Sequence, residues 1–441
     1  MDRRKFVAAA AVGAAGLDAT PRLALEGGAP VRATPLRARH WGPLYYDDKE
    51  RAALNDVIDI GAPFRWWGQP GGKAPMKVAA FEKEFAERMQ TRFALAVTSG
   101  TAALQTAVAA FGIGPGDEVI VPAWTWHSTC TAVIMAGALP VFAEIDESLN
   151  LDPADLERKI TPQTKLVIVA HLQGVPADME PILEIARRHK LKVLEDCAQA
   201  VGGSYKGRPL GSLGDMGIYS HQVNKTISAG EGGSVVTSDP LLFERAWRFH
   251  DVGSLRPLHE ERVGKAALEP FAGVNFRMNE FTGGVMLAQL RKLDTILAAA
   301  RSHARRIYDS LAGLDGIRFR KRPDPEGETG DSVYIEFDSK QRRDRFLEAM
   351  KAENVPARPP SGSVVLPVQN YIEKKLTAAA NWPTWTVGRG KTIRYGAESC
   401  PRTLDILNRF AGVAIDPKFT RRDTDDIIAA IRKVYPAVMA S

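Results

Sequence analysis

Apolar positions recur along this chain with two different periods, and the switches between them outline the elements. Val78 to Met89 carries apolar residues at helical spacing, and the run Phe93 to Val97 that follows is short enough for a strand. The small-residue turn Thr98-Ser99-Gly100-Thr101 then leads into a helix over Ala102 to Phe111. Further short apolar runs predict buried strands at Glu118 to Val121, Leu139 to Glu144, Lys165 to Ala170, Lys192 to Glu195, Met216 to Tyr219 and Ser234 to Thr237. Glu180 to His189 returns to the helical period. Strands separated by helix-length connectors predict an α/β fold: a mostly parallel sheet flanked by helices on both faces.

The pattern changes after Phe281. Phe281 to Leu311 reads as long helices, Ser332 to Phe337 as a strand, Lys340 to Glu353 as a helix and Thr424 to Val434 as a closing helix. Irregular tryptophan-bearing stretches lie around Asn381 to Trp385 and Gly388 to Gly396. These predict a smaller α+β unit. The resulting division is residues 1–21 as a leader, 22–295 as an arm and large domain, and 296–441 as a small C-terminal domain.

Composition narrows the classes. The 441 residues are 45% hydrophobic and 25% charged, which excludes disordered, collagen-like and coiled-coil chains. Lys and Arg number 58 against 52 Asp and Glu, and the excess of +6 is spread rather than run in blocks. A diffuse positive charge suits an anionic small ligand more than a nucleic-acid stripe. Cys130, Cys197 and Cys400 form no paired spacing, and the histidines show no HxxxH or HExxH pattern, so no metal site is expected.

The leader is the exception. Arg3, Arg4 and Lys5 precede an Ala-rich apolar stretch from Phe6 to Leu17, too short to span a bilayer. That is the plan of a secretory signal with a twin-arginine-like Arg-Arg-x-Phe, and it predicts export to the periplasm, with a cytoplasmic N-terminus as the alternative. No stable membrane insertion is expected.

Three segments carry candidate chemistry. VTSGTAAL, Val97 to Leu104, is a strand–turn–helix in which Gly100 permits close backbone approach and Thr101 faces a helix N-terminus suited to an anion. A plain turn with Thr101 as the cap is the bland alternative. KVLEDCAQA, Lys192 to Ala200, ends a buried strand in Glu195 and Asp196, where open α/β sheets bind ligands. Asp196 there either caps a following helix or pairs with a protonated heteroaromatic nitrogen. YSHQVNKTISAGEGGSVV, Tyr219 to Val236, sets Lys225 in a segment with no other formal charge before Glu231. A desolvated lysine has a lowered pKa and can form a Schiff base. Together, an acid at a strand end, a lysine about thirty residues later and a Ser/Thr cradle match a site for pyridoxal 5'-phosphate (PLP).

The ordered motifs FEKEFAERM, VTSGTAAL, GPGDEVIVPAWTW, HLQGVPADM, LEDCAQA, YSHQVNK with GEGG, and GVNFRMNEF resemble the DegT/StrS family of PLP-dependent sugar aminotransferases. The likeness runs from about Leu25 to Val434 and implies the aspartate-aminotransferase-like fold. It further implies that Lys225 forms the internal aldimine and that Asp196 pairs with the pyridine nitrogen. Gln199 would lie near the phenolic oxygen, and Trp126 would stack on the ring, a core tryptophan being the alternative. Gly100, Thr101 and Ser220 would hold the phosphate, and Asn275 would reach it from a neighbouring subunit, making the active unit a homodimer. The reaction implied is ping-pong transfer of an amino group from glutamine or glutamate to a keto sugar or keto cyclitol. LALEGGAPVR and SCPRT look most like the glutamine-using cyclitol branch. Rival readings are a dehydratase or aromatic-forming synthase of the same family, or a non-catalytic sensory or binding protein on this scaffold. Dehydratases of that family that replace the lysine by histidine differ from this chain, where the position holds Lys225.

Overall fold

Alternation along the central strands decides which layer each side chain serves. In β1 (Phe93–Val97), Phe93, Leu95 and Val97 enter one apolar layer and Ala94 and Ala96 the opposite one. In the computed structural model, which describes residues 22–37, 42–65, 76–256, 262 and 264–440, this strand joins six others. They are β2 (Glu118–Pro122), β3 (Leu139–Ala143), β4 (Thr164–Ala170), β5 (Lys192–Asp196), β6 (Met216–Ser220) and β7 (Gly233–Thr237). The sheet order is β1-β7-β6-β5-β4-β2-β3. β2, β3, β4, β5 and β6 pair in parallel, and β7 runs antiparallel to both β1 and β6.

Helices cover both faces, as a buried parallel sheet requires. One layer takes its apolar side chains from α2 (Lys77–Arg88), α6 (Met179–Arg188), α8 (Glu280–Leu290) and the start of α9 (Leu293–Leu311). The other uses α3 (Gly100–Ala110), α4 (His127–Met135) and α7 (Pro240–His250). α1 (Asp48–Ile60) and α5 (Pro153–Lys159) complete the large domain.

The small domain is a three-stranded antiparallel sheet, β8 (Arg318–Phe319), β9 (Ser332–Glu336) and β10 (Phe410–Ala414), in that order. α10 (Lys340–Ala352), α11 (Pro401–Arg409) and α12 (Arg421–Met439) pack around it. The sequence-drawn boundary at residue 296 falls inside α9. Leu293, Ile296 and Leu297 of that helix belong to the large-domain core, and Ile307, Tyr308 and Leu311 to the small one.

The arm also differs from its assignment to the large domain. Leu23 and Leu36 are buried in the small-domain core, and the fully buried Glu353 accepts the Ala24 and Val31 N–H groups at 2.8 and 2.9 Å. Apolar burial and a buried carboxylate outweigh chain proximity here. The leader, residues 1–21, lies outside the described residues. Among the described residues, no helix is long and apolar enough to cross a membrane.

Candidate active site

β4, β5 and β6 end side by side, with Ala170 opposite Asp196 and Asp196 opposite Ile218. Asp196 is buried at this carboxyl edge. The Thr129 hydroxyl on α4 donates to its Oδ2 at 2.7 Å and the Ala198 N–H to its Oδ1 at 3.1 Å. No helix follows, so Asp196 is not a helix cap. Burial pushes its carboxyl up, opposed by those two hydrogen bonds and by the nearby charges of Lys225 and His171. A carboxylate accepts about four hydrogen bonds, so this one can still receive a ring N–H.

Its neighbour Glu195 does a different job. It accepts from the Gly211, Leu213 and Gly214 N–H groups at 2.9, 2.7 and 2.7 Å and from His171 Nε2 at 3.1 Å, anchoring the loop before β6. His171 Nδ1 accepts the Ala177 N–H at 3.0 Å, which leaves the proton on Nε2. His171, Glu195 and Cys197 lie within 4.8 Å of one another. Both imidazole nitrogens are engaged, however, and burial pushes the Cys197 thiol well up, so the cluster is hydrogen-bonded rather than open to a cation.

Lys225 sits in the loop between β6 and β7, half-buried. Burial lowers the pKa of its ammonium, against the raising charges of Asp196 and of Asp331 from the small domain. Asp331 and Thr329, together with Asn224 and Thr226 on either side of Lys225, line an interdomain cavity of about 650 Å³. Arg358 and Asp416 also border it. Burial pushes the Asp331 carboxyl up to about 6.

The cradle is assembled from two elements. Ser99 caps α3, accepting the Ala102 N–H at 3.0 Å, so the cap is Ser99 and not Thr101. Gly100 and Thr101 therefore occupy the first turn, where N–H groups lack helical acceptors. A Cβ on Gly100 would stand 2.7 Å from Ser220 Cβ and 3.0 Å from its Oγ, so only glycine lets the end of β6 approach. Thr101 Oγ1 and the Ser128 hydroxyl of α4 are 2.7 Å apart. Trp126 stands at the N-cap of α4 and is 51% exposed, while its neighbour Trp124 is buried at 2%.

Two further expected residues have these partners within the chain. Asn275 is exposed, and its Oδ1 accepts the Arg277 N–H at 3.3 Å; the adjacent Phe276 carbonyl accepts the Thr98 N–H at 3.0 Å. The Gln199 carboxamide is engaged by Gln173, Gly362 and Ser363. Sequence reasoning missed Thr129, Ser128 and Asp331. The first two lie in a stretch whose only signal is hydroxyl residues at helical spacing, and Asp331 comes from the other domain. This donor set, with an acid for a ring nitrogen, an amine for an aldehyde and hydroxyls with free N–H groups for a phosphate, fits PLP.

A model of the DegT/DnrJ/EryC1/StrS aminotransferase family matches residues 50–432. The chain belongs to this family. It is a PLP-dependent aminotransferase. A GDP-perosamine synthase of Vibrio cholerae is 34% identical over 361 residues, 78% of this chain and 94% of that protein. An L-glutamine:2-deoxy-scyllo-inosose aminotransferase of Micromonospora echinospora is 37% identical over 66% of this chain and 69% of its own length. Among solved structures, 3-amino-5-hydroxybenzoic acid synthase superposes with a TM-score of 0.72 at 28% identity, over 92% of this chain and all of that one. S. venezuelae DesV in complex with a ketimine intermediate gives 0.71 at 29%, over 88% and 94% of the two chains.

Proposed function

We propose that this aminotransferase moves an amino group from glutamine or glutamate to the ketone of a polyhydroxylated ring, a keto sugar or keto cyclitol, with Lys225 as the residue that holds the cofactor. The observation that carries this is what surrounds the Lys225 loop: Asp196 at the sheet edge, Gly100 of the α3 cradle against Ser220 where the loop begins, and a cavity beside it with polar groups on its largely apolar wall. When bound, PLP supplies an aldehyde that takes up the amine and a ring that accepts the electrons released at the adjacent carbon.

The chain's own residues do the rest. Burial lowers the Lys225 pKa and favours the neutral amine that attacks a carbonyl. With its amine free, Lys225 Nζ would be the group that takes the proton from the donor carbon and delivers it to the carbon the cofactor's aldehyde supplies. Asp196 holds the proton on the ring nitrogen, aligned by Thr129. Gly100, Thr101, Ser128 and Ser220 bind the phosphate, and exposed Trp126 covers a ring face. The hydroxyl-rich acceptor suits a cavity whose polar groups include Asn224, Thr226, Thr329 and Asp331. Names of relatives support both acceptor classes: the synthase above is named for a GDP-linked sugar and the other for a cyclitol.

Exposed Asn275 supports its reaching the phosphate site of a second copy, so the working unit is a homodimer with shared sites. MDRRKF and the apolar stretch behind it support export by a twin-arginine-like route, checked by fractionating cells before and after changing Arg3 and Arg4 to Lys. Cytosolic recovery of both forms contradicts export.

The test of function is a pair of half-reactions. Glutamine or glutamate should bleach the visible absorption of the loaded protein, and a keto cyclitol or keto sugar should restore it while gaining nitrogen. Absorption that no amino donor changes contradicts transamination. Conversion of an acceptor to an aromatic product instead favours the synthase reading, which the likeness to 3-amino-5-hydroxybenzoic acid synthase supports.

A further inference from the structure

The loop after β4, His171 to Gly174, ties the small domain to Asp196 and Gln199, the residues assigned to the cofactor's ring nitrogen and phenolic oxygen. The His171 N–H donates to the Asp196 carbonyl at 3.1 Å and the Gly174 N–H to the Gln199 carbonyl at 2.9 Å. From the small domain, the Thr329 N–H donates to the Gly174 carbonyl at 2.9 Å and Arg320 Nη2 to the Leu172 carbonyl at 2.9 Å. The Ser332 hydroxyl donates to the Gln173 carbonyl at 3.2 Å. Between these grips Gln173 adopts φ 55°, ψ 40°, a left-handed conformation that a side chain other than Asn or Gly rarely takes. Such strain persists where surrounding contacts over-determine it.

The Gln173 side chain carries a directional relay. Tyr334 Oη donates to its Oε1 at 3.2 Å. Its Nε2 donates to the Ser361 carbonyl at 2.6 Å and to Gln199 Oε1 at 3.0 Å, and its backbone N–H reaches the same Oε1 at 3.3 Å. Gln199 Nε2 in turn donates to Ser363 Oγ at 2.9 Å and to the Gly362 carbonyl at 3.2 Å. Main-chain groups of fixed polarity stand at both ends: an N–H faces Gln199 Oε1, and carbonyls face both amide nitrogens. The orientation of each carboxamide follows from that polarity.

We propose that Gln173 is a positioning residue: by holding the carbonyl end of Gln199 it presents that amide donor-end first to the phenolic oxygen of PLP, and it couples this orientation to the small domain through Tyr334 and the 361–363 loop. The inference rests on the place given to Gln199 under the proposed function. The two Gln199 donors here satisfy Gly362 and Ser363. A phenolate therefore takes over one of these hydrogen bonds, trading a neutral acceptor for a charged and stronger one. Loading the cofactor thus loosens the 361–363 loop from Gln199 while Gln173 keeps its hold.

The test uses Gln173→Gly, which favours the left-handed backbone while deleting the side chain, and Gln173→Glu, which keeps the shape but repels the Gln199 carbonyl. Each is titrated with PLP, and the pH dependence of its visible band is recorded after loading. A phenolate deprived of its donor holds the neighbouring Lys225 nitrogen's proton to higher pH. Both variants should therefore shift the spectral transition upward and weaken PLP binding about tenfold. Tyr334→Phe should shift it less, in the same direction. Unchanged transition and affinity in folded Gln173→Gly, with Gln199→Ala altering both, overturns the inference alone. If Gln199→Ala also leaves both unchanged, the place given to Gln199 is wrong. A lower melting temperature without a spectral shift assigns Gln173 a merely structural part and equally overturns the proposal. Should Gln173→Gly fail to fold, Gln173→Glu and Tyr334→Phe decide the matter by the same readouts.

Discussion

Asp196 and Asp331 act on Lys225 from different domains, and burial pushes both carboxyls up with different consequences. Asp331 stands at about 6 against an ordinary 3.8, so the folded protein holds this proton more tightly than the unfolded chain does. Its contribution to stability is full below the ordinary value and is lost as the pH rises from 3.8 to about 6. Asp331→Asn should therefore stabilise the cofactor-free protein by on the order of 1–2 kcal/mol at about pH 8 and hardly at all at about pH 4, read from denaturant unfolding at each pH. Equal effects at both pH values would refute the assignment. Asp196→Asn tests the other carboxylate. Without a charge to hold the ring nitrogen protonated, the first half-reaction should slow about 100-fold or more in stopped-flow absorbance, with PLP still bound.

At the scale of elements, the cradle depends on α3 beginning where β6 ends. Gly100→Ala would drive a Cβ to within 2.7 Å of Ser220 Cβ. Overpacking of that kind costs about 1–3 kcal/mol, and here it also pushes the two walls of the phosphate site apart. Thermal unfolding should show the loss, and titration with PLP should show affinity falling about tenfold. Much of this was legible beforehand. VTSGT announced a strand, a turn and a helix start, and KVLED announced a buried strand ending in acids, because local periodicity and small-residue turns are written in consecutive positions. The sequence named Lys225 and Asp196, which the fold then places within electrostatic reach of each other. What it hid came from pairing across distance. Thr129 meets Asp196 from 67 positions away, and Glu195 spends itself on the Gly211–Gly214 loop although it carries the same carboxylate as its neighbour in sequence. β10 and α11 were equally silent; FAGVA is a short apolar run interrupted by Gly412, and glycine inside a run weakens a strand reading.

For the whole molecule, two long-range couplings matter most. The arm closes onto the small domain through Glu353, which is fully buried and also meets Lys433 Nζ at 2.8 Å. Glu353→Ala strands that lysine and frees two arm N–H groups. It should cost about 3 kcal/mol and make the segment 22–37 the first site of limited proteolysis. The second is the proposed sharing of sites between two copies. Chains carrying Lys225→Ala and chains carrying Asn275→Ala, each weak alone, should regain activity when co-expressed, because a shared dimer then holds one intact site. Failure to regain any would place Asn275 outside the partner's site. Beneath these lies the claim that Lys225 holds the cofactor. Borohydride reduction of the PLP-loaded protein, followed by peptide mass mapping, tests it most directly. A single phosphopyridoxyl adduct on Lys225, lost in Lys225→Ala, is the expected result. An adduct on another lysine, or none at all, would contradict it.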